Sequence, residues 1–164
     1  MKVALIAGAG LLPVILAQEV RNAGKQVLVI SIIKNADERL ISLSHPDFFQ
    51  IGVGQVRKIL ETLLKMDARE IVIIGRVCKD ILFKPMHLDT KALKILSKLK
   101  NKNDSSIFRA IADEMGSAGL KLIDQRLYLS KLLPQKGIIT KRKPSRTEWQ
   151  DIEYGIDLAR KIAQ

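Results

Sequence analysis

Cysteine is almost missing from this sequence. One residue in 164, Cys78, carries a thiol, so no internal disulfide can form, and a reducing compartment suits the chain. Histidine is nearly as scarce. His45 and His87 are the two present; neither has the partner spacing of a metal-ligand pair, and each reads as a surface residue beside a proline. Aromatic residues make up 4% of the chain and are not interleaved with its basic stretches. That counts against the stacking platforms that hold single-stranded nucleic acid. No apolar run approaches the roughly 20 residues of a membrane-spanning helix. The opening Lys-Val-Ala-Leu-Ile is strand-like and has no charged region ahead of a long apolar core, so no signal peptide is read there. A Gly-Lys-Ser/Thr triplet is also absent, which excludes a P-loop.

What is present is a chain with 47% hydrophobic residues and a net charge of +11. At this length a single domain over 1–164 can bury about two-thirds of its unfolded surface without staples. The charge is uneven. The first fifty residues are nearly balanced. From Lys79 to Lys102 there are seven lysines against Asp80 and Asp89, and from Arg126 to Arg146 there are seven basic residues and no acid. Such a surface attracts anions, whether nucleic acid, an acidic membrane leaflet or a phosphorylated substrate. A merely solubilising surface is the plain alternative.

Hydrophobic periodicity predicts strands at Val3–Ala7, Gln26–Ile33, Phe48–Ile51, Glu70–Ile74 and Leu120–Ile123, each short and apolar and several closed by glycine. Between them, helices are expected over Leu11–Ala23, Ala36–Leu43, Gln55–Met66, Thr90–Leu99 and Ser105–Met115, the last capped by Asp104 or Ser105. Ser145-Arg146-Thr147-Glu148 has the spacing of a capping box and opens a final helix carrying Trp149, Ile152 and Ile156, with Tyr128 and Trp149 read as packing residues. Strand and helix alternate, which argues an α/β fold: a Rossmann-like open, mostly parallel sheet with helices on both faces.

In such a sheet the carboxyl ends of the strands share one edge, and ligands bind there. Gly8-Ala9-Gly10, Gly52-Val53-Gly54 and Gly75-Arg76-Val77-Cys78-Lys79 are therefore expected to converge. Gly8 permits a tight turn and Gly10 a close backbone approach, with a helix start beyond them presenting N–H groups to an anion. Arg76 and Lys79 add cations suited to a phosphate. Pro13 stands where a dinucleotide fingerprint has its third glycine, and Asp37 comes late for a ribose acid, so the turn is a poor NAD site. A turn that uses glycine for backbone geometry alone is the alternative. No nucleophile–base pair is read, and Cys78 reads as an incidental thiol.

Taken together, these segments resemble one family, the N-terminal domain of the LpxI-type UDP-2,3-diacylglucosamine pyrophosphatases. LIAGAGLLPVILA resembles the family's opening strand and glycine turn, IGVGQVRKIL its second glycine segment, and IIGRVCK its basic stretch after a strand. LKILSKLKNKNDSSIFRAIADEMGSAG and DIEYGIDLARKIA are similar to its later helices. Ala9, Asn103 and Asp80 depart from the family's usual glycine, acid or glycine, and proline. The resemblance implies hydrolysis of UDP-2,3-diacylglucosamine to UMP and 2,3-diacylglucosamine 1-phosphate, a step of lipid A assembly, with magnesium as the metal. It implies that Gly8, Ala9, Gly10 and Leu11 line the substrate cleft and that Gly75, Arg76 and Lys79 form the opposite wall. The family's second domain, which carries its catalytic and metal-binding acids, has no counterpart in this chain, so catalytic residues are expected elsewhere and the chain alone is expected to be inactive.

The implied partners are the substrate, a C-terminal catalytic domain and the inner-leaflet membrane surface, in a cytoplasmic protein peripheral to the inner membrane; a homodimer is left open, and no nucleic-acid partner is expected. Three readings compete: a dinucleotide-binding (NAD or FAD) domain of an oxidoreductase, a nucleic-acid-binding module built on the two basic stretches, and a scaffold without a ligand.

Overall fold

The computed structural model describes residues 2–77, 88–99 and 103–163. It divides into two compact units, residues 1–131 and 132–164. The first is built on five strands: β1 (Lys2–Ala7), β2 (Gln26–Ser31), β3 (Phe48–Gln50), β4 (Glu70–Ile74) and β5 (Lys121–Leu122). All pairings are parallel, in the order β3-β2-β1-β4-β5. The chain moves outward from β1 to β2 and β3, then returns to place β4 on the other side of β1. The order therefore reverses at the β1–β4 seam, and open α/β sheets bind ligands at the carboxyl edge beside such a switch point.

Among the described residues, five α-helices accompany these strands: α1 (Leu12–Asn22), α2 (Glu38–Ser44), α3 (Val56–Lys65), α4 (Thr90–Ser97) and α5 (Asp104–Ser117). Strand side chains alternate between two cores, which is why the central strands are apolar throughout. Val3, Leu5, Val27, Val29, Val72 and Ile74 face one core with Leu16, Ala17 and Val20 of α1 and Leu40 of α2. Ala4, Ile6, Leu28, Ile30 and Ile71 face the other with Ile59, Leu60 and Leu63 of α3 and Met115 of α5. Each large aliphatic side chain so buried contributes about 1.5–3 kcal/mol. The fold is thus the open α/β sheet with helices on both faces that the sequence predicts.

Differences lie at element ends. β2 stops at Ser31, where its pairings with both β1 and β3 end. The α5 cap is Asn103, whose side chain accepts from the Ser106 N–H at 2.9 Å. Tyr128 packs against the first core as expected. In the second unit, helix α6 (Arg146–Ile162) starts at the predicted capping box. No residue of α6 is buried, and Trp149 is 41% exposed rather than packed. No helix among the described residues is long and apolar enough to cross a membrane.

Candidate functional site

The two glycine turns that follow β1 and β4 meet at the carboxyl edge. The Ala9 N–H donates to the Arg76 carbonyl at 2.8 Å, the Arg76 N–H donates back to Ala9 at 2.9 Å, and the Gly8 N–H donates to Ile74 at 2.8 Å. Contact this close needs glycine on both sides. A Cβ at Gly8 would clash with the Arg76 carbonyl oxygen, and one at Gly75, which has φ +96°, would stand 2.8 Å from the carbonyl carbon of Gly8. The expected two walls of a cleft are therefore a single joined rim. Gly8, Ala9, Gly75 and Arg76 come together by direct backbone pairing, and Lys79 lies outside the described residues.

The pairing uses the amides of Gly8 and Ala9. The next amides are different. Among the described residues, no carbonyl or side chain accepts from Gly10, Leu11 or Leu12 N–H. Gly10 has φ +111° and leaves the surrounding space open. Leu11 stands at the N-cap of α1 without a side-chain cap and is 53% exposed, and Pro13 fills the first turn. A helix start with free donors and a positive dipole end suits an anion such as a diphosphate.

Two hollows flank this rim. On the β1–β2 side a recess of about 280 Å³ is lined by Gly8, Ala9 and Gly10, by the polar Ser31, Asn35 and Asp37, and by the apolar Ile33, Ala36 and Leu40. Asp37 is thus at the glycine turn, although its distance along the chain suggests otherwise; the segment after β2 comes back to the recess before α2 begins. Asp37 caps α2 and is gripped by Arg39, with Nε to Oδ1 at 2.9 Å and Nη2 to Oδ2 at 2.7 Å. The Arg39 side chain holds the Asp37 carboxyl below its ordinary value, with the Arg39 backbone N–H adding to the effect.

On the other face lies an apolar groove of about 790 Å³, well within the range of ligand pockets. Its floor is Ile6, Ile32, Ile73 and Val77 from the sheet's carboxyl end; Val53, Val56, Ile59 and Leu60 form one side, and α5 brings Ile107, Phe108, Ile111 and Met115 to the other. Recess and groove share a strand end, since Ile32 lines the groove and Ile33 the recess. The Gly52–Gly54 segment joins this region through Val53. It is held by Asp89, whose N–H donates to the Gly54 carbonyl at 2.9 Å and whose carboxylate accepts from Arg57 N–H at 2.7 Å and Ala92 N–H at 2.8 Å. One side chain thus closes the starts of both α3 and α4.

The groove is not legible in the sequence as a site. Its apolar residues follow core periodicity, and only the half-exposed Phe108, apolar on the outer face of a helix, signals an unfilled surface. Several of the basic residues are paired: Lys91 with Glu114 at 2.7 Å, Lys131 with Glu19 at 2.9 Å, and Arg142 with Glu148 at 2.8 Å. Hydrogen bonds from Lys131 and Arg142 hold the carboxyls of Glu19 and Glu148 below the ordinary range. Among the described residues no three His, Cys, Asp or Glu side chains gather as a metal site would need.

Comparison with known proteins gives this edge a context. The chain is 28% identical over 166 residues to the UDP-2,3-diacylglucosamine pyrophosphatase LpxI of Caulobacter vibrioides, a similarity that covers 99% of this chain. It spans 58% of that relative's length. Residues 2–132, which contain the whole sheet, the glycine rim and both hollows, match the LpxI N-terminal domain, and the chain belongs to that family.

Proposed function

We propose that this chain is the substrate-cleft domain of a UDP-2,3-diacylglucosamine pyrophosphatase. The observation that carries the reading is the pairing of an uncapped helix start with an apolar groove on one sheet edge, in a chain aligned almost end to end with part of such an enzyme. The substrate has the same division, a nucleotide diphosphate at one end and acyl chains at the other. The Gly10, Leu11 and Leu12 amides meet the diphosphate, and Arg76 on the joined rim adds a cation. Acyl carbons leave water for the groove, where each buried methylene contributes about 0.8 kcal/mol.

Hydrolysis of the diphosphate to UMP and 2,3-diacylglucosamine 1-phosphate, in lipid A assembly, is the implied reaction. Magnesium, where bound, offsets charge developing on the phosphoryl group. The described residues offer no donor set for it, so no step is assigned to the ion here. Catalytic acids and metal ligands belong to a C-terminal catalytic domain, in keeping with the 58% of the relative that this chain spans. The chain alone binds without cleaving. Its net charge of +11 supports the reading of a cytoplasmic protein held at the anionic inner leaflet.

The test is hydrolysis of UDP-2,3-diacylglucosamine followed by release of UMP. This chain alone should give none, and the same chain joined to its C-terminal catalytic domain should give UMP in magnesium. A well-folded two-domain protein that leaves the substrate intact overturns the proposal.

A further inference from the structure

The recess beside the glycine rim has a chemistry different from that of the α1 start. It includes a carboxylate, which repels a phosphate, so the two cannot serve the same group. Asp37 has about four acceptor positions on its two oxygens. Oδ1 accepts from the Arg39 backbone N–H at 3.0 Å and from its Nε at 2.9 Å; among the described residues Oδ2 accepts only from Nη2 at 2.7 Å. One position on Oδ2 is therefore left for an outside donor. Ser31 is 1% exposed, and its hydroxyl donates to the Ile33 carbonyl at 3.0 Å, leaving its oxygen as an acceptor. Asn35, exposed, offers both a donor and an acceptor. The opposite side is Gly8-Ala9-Gly10, where little side chain blocks a ligand's approach. Ile33, Ala36 and Leu40 complete the recess, so a neutral ring with apolar carbons and hydroxyl donors fits this set.

We propose that the recess binds the ribose of a nucleotide, with Asp37 accepting a hydrogen bond from a ribose hydroxyl and Asn35 and Ser31 completing the polar wall. This deepens the reading of the chain as a nucleotide-sugar lipid domain and rests on it. Within that substrate, ribose carries the one pair of free hydroxyls on adjacent ring carbons; the glucosamine, acylated at positions 2 and 3, keeps free hydroxyls only at positions 4 and 6. The diphosphate then lies at the α1 start, next to the recess through Gly10. The fork from Arg39 holds the Asp37 carboxyl below its ordinary value, which favours the carboxylate, an acceptor on both oxygens.

The experiment is an amide chemical-shift titration of this chain with UDP, with 2′-deoxy-UDP and with glucosamine 1-phosphate, repeated on Asp37→Asn. UDP should move the Gly8–Gly10 amides and the Asn35 side-chain amide. Removing the 2′-hydroxyl should weaken binding about tenfold or more, as expected for a hydrogen bond to a charged group, and glucosamine 1-phosphate should leave Asn35 unmoved. Asp37→Asn keeps a good capping residue, so the melting temperature should hold while the preference for UDP over 2′-deoxy-UDP disappears. Equal binding of the two nucleotides by the wild-type chain, or a preference that survives in Asp37→Asn, overturns the ribose site and leaves the broader reading standing. If UDP moves no amide at the rim, both fall. The wild-type comparison decides the matter even where the variant proves unstable.

Discussion

Helices α1 and α6 begin in opposite ways. At α6 the chain supplies its own cap, and the Ser145, Glu148 and Trp149 N–H groups all find acceptors within a few residues. Ser145 accepts from the Glu148 N–H at 3.3 Å, Glu148 accepts from the Ser145 N–H at 2.7 Å, and Arg142 grips the same glutamate. At α1 the corresponding residue is Leu11, which has no oxygen to offer, and the amides of Gly10, Leu11 and Leu12 find no partner among the described residues. Asp37, Asp89 and Asn103 cap α2, α4 and α5, so the chain closes its helices wherever it has a cap to use. An open start at the carboxyl edge of the sheet, next to the switch point, is what a helix needs if something outside the chain is to supply the acceptor.

The comparison breaks most severely at the rim that presents the open end. Gly8→Ala drives a methyl group into the Arg76 carbonyl, and either the Ala9–Arg76 pairing or the β1–β4 seam must give. A loss of roughly 3 kcal/mol or more is expected, in the range of the most damaging single changes. Gly10→Ala is the control. It has nothing within 4 Å and should cost only about 1–2 kcal/mol for its positive φ. Urea unfolding of the two variants measures the difference, and equal losses would mean that the rim is not where the backbone is tightest.

At the closed start, Ser145→Ala removes the side chain that accepts the Glu148 amide. The expected cost is about 1 kcal/mol, seen as faster amide exchange through the first turn of α6 and no change in nucleotide binding. At the open start, Leu11→Asp should act in the other direction. A carboxylate beside the α1 donors stabilises the helix by about 0.3–1 kcal/mol, and it should repel the diphosphate. Thermal melting should rise slightly while UDP affinity falls. A variant that binds UDP as well as the parent would show that the diphosphate is held elsewhere.

Much of this contrast is legible in the residues alone. Ser145 and Glu148 have the spacing of a reciprocal cap, and β4 runs from Glu70 to Ile74 as its apolar run and closing glycine indicate. What escapes the sequence depends on neighbours rather than on local pattern. Asn103, Asp104 and Ser105 are all good caps, and spacing alone does not say which one starts α5. Ile32, Ile59 and Ile111 have the same periodicity whether a further layer covers them or a groove is left above them. Asp37 stands far along the chain from the glycine turn, and sequence separation says nothing of a segment that doubles back. Gly8 and Gly75 are legible as turn residues, but their contact with each other requires the sheet order that puts β4 beside β1.

The smallest effect separates the two helix starts by pH. Glu148 has its carboxyl held below the ordinary value of about 4.5, first by the Arg142 side chain and then by the Ser145 backbone N–H. A carboxyl depressed in the folded chain contributes stability above its unfolded value, and that contribution is lost as pH falls through the folded one. Acidification below about 4.5 should therefore loosen the first turn of α6, as protonated Glu148 releases Arg142 and accepts less well from Ser145. Solvent screening keeps the effect small at so exposed a site. Helix α1 has no acid in its first turn, so its first turn should keep its amide-exchange rates, corrected for intrinsic pH dependence, over the same range. Exchange measured at Glu148 and Trp149 against Val14 and Ile15 reads the two starts in one experiment. If both starts loosen together, α6 is not held by this glutamate, and the contrast between a start closed by the chain and one left for a ligand loses its electrostatic half.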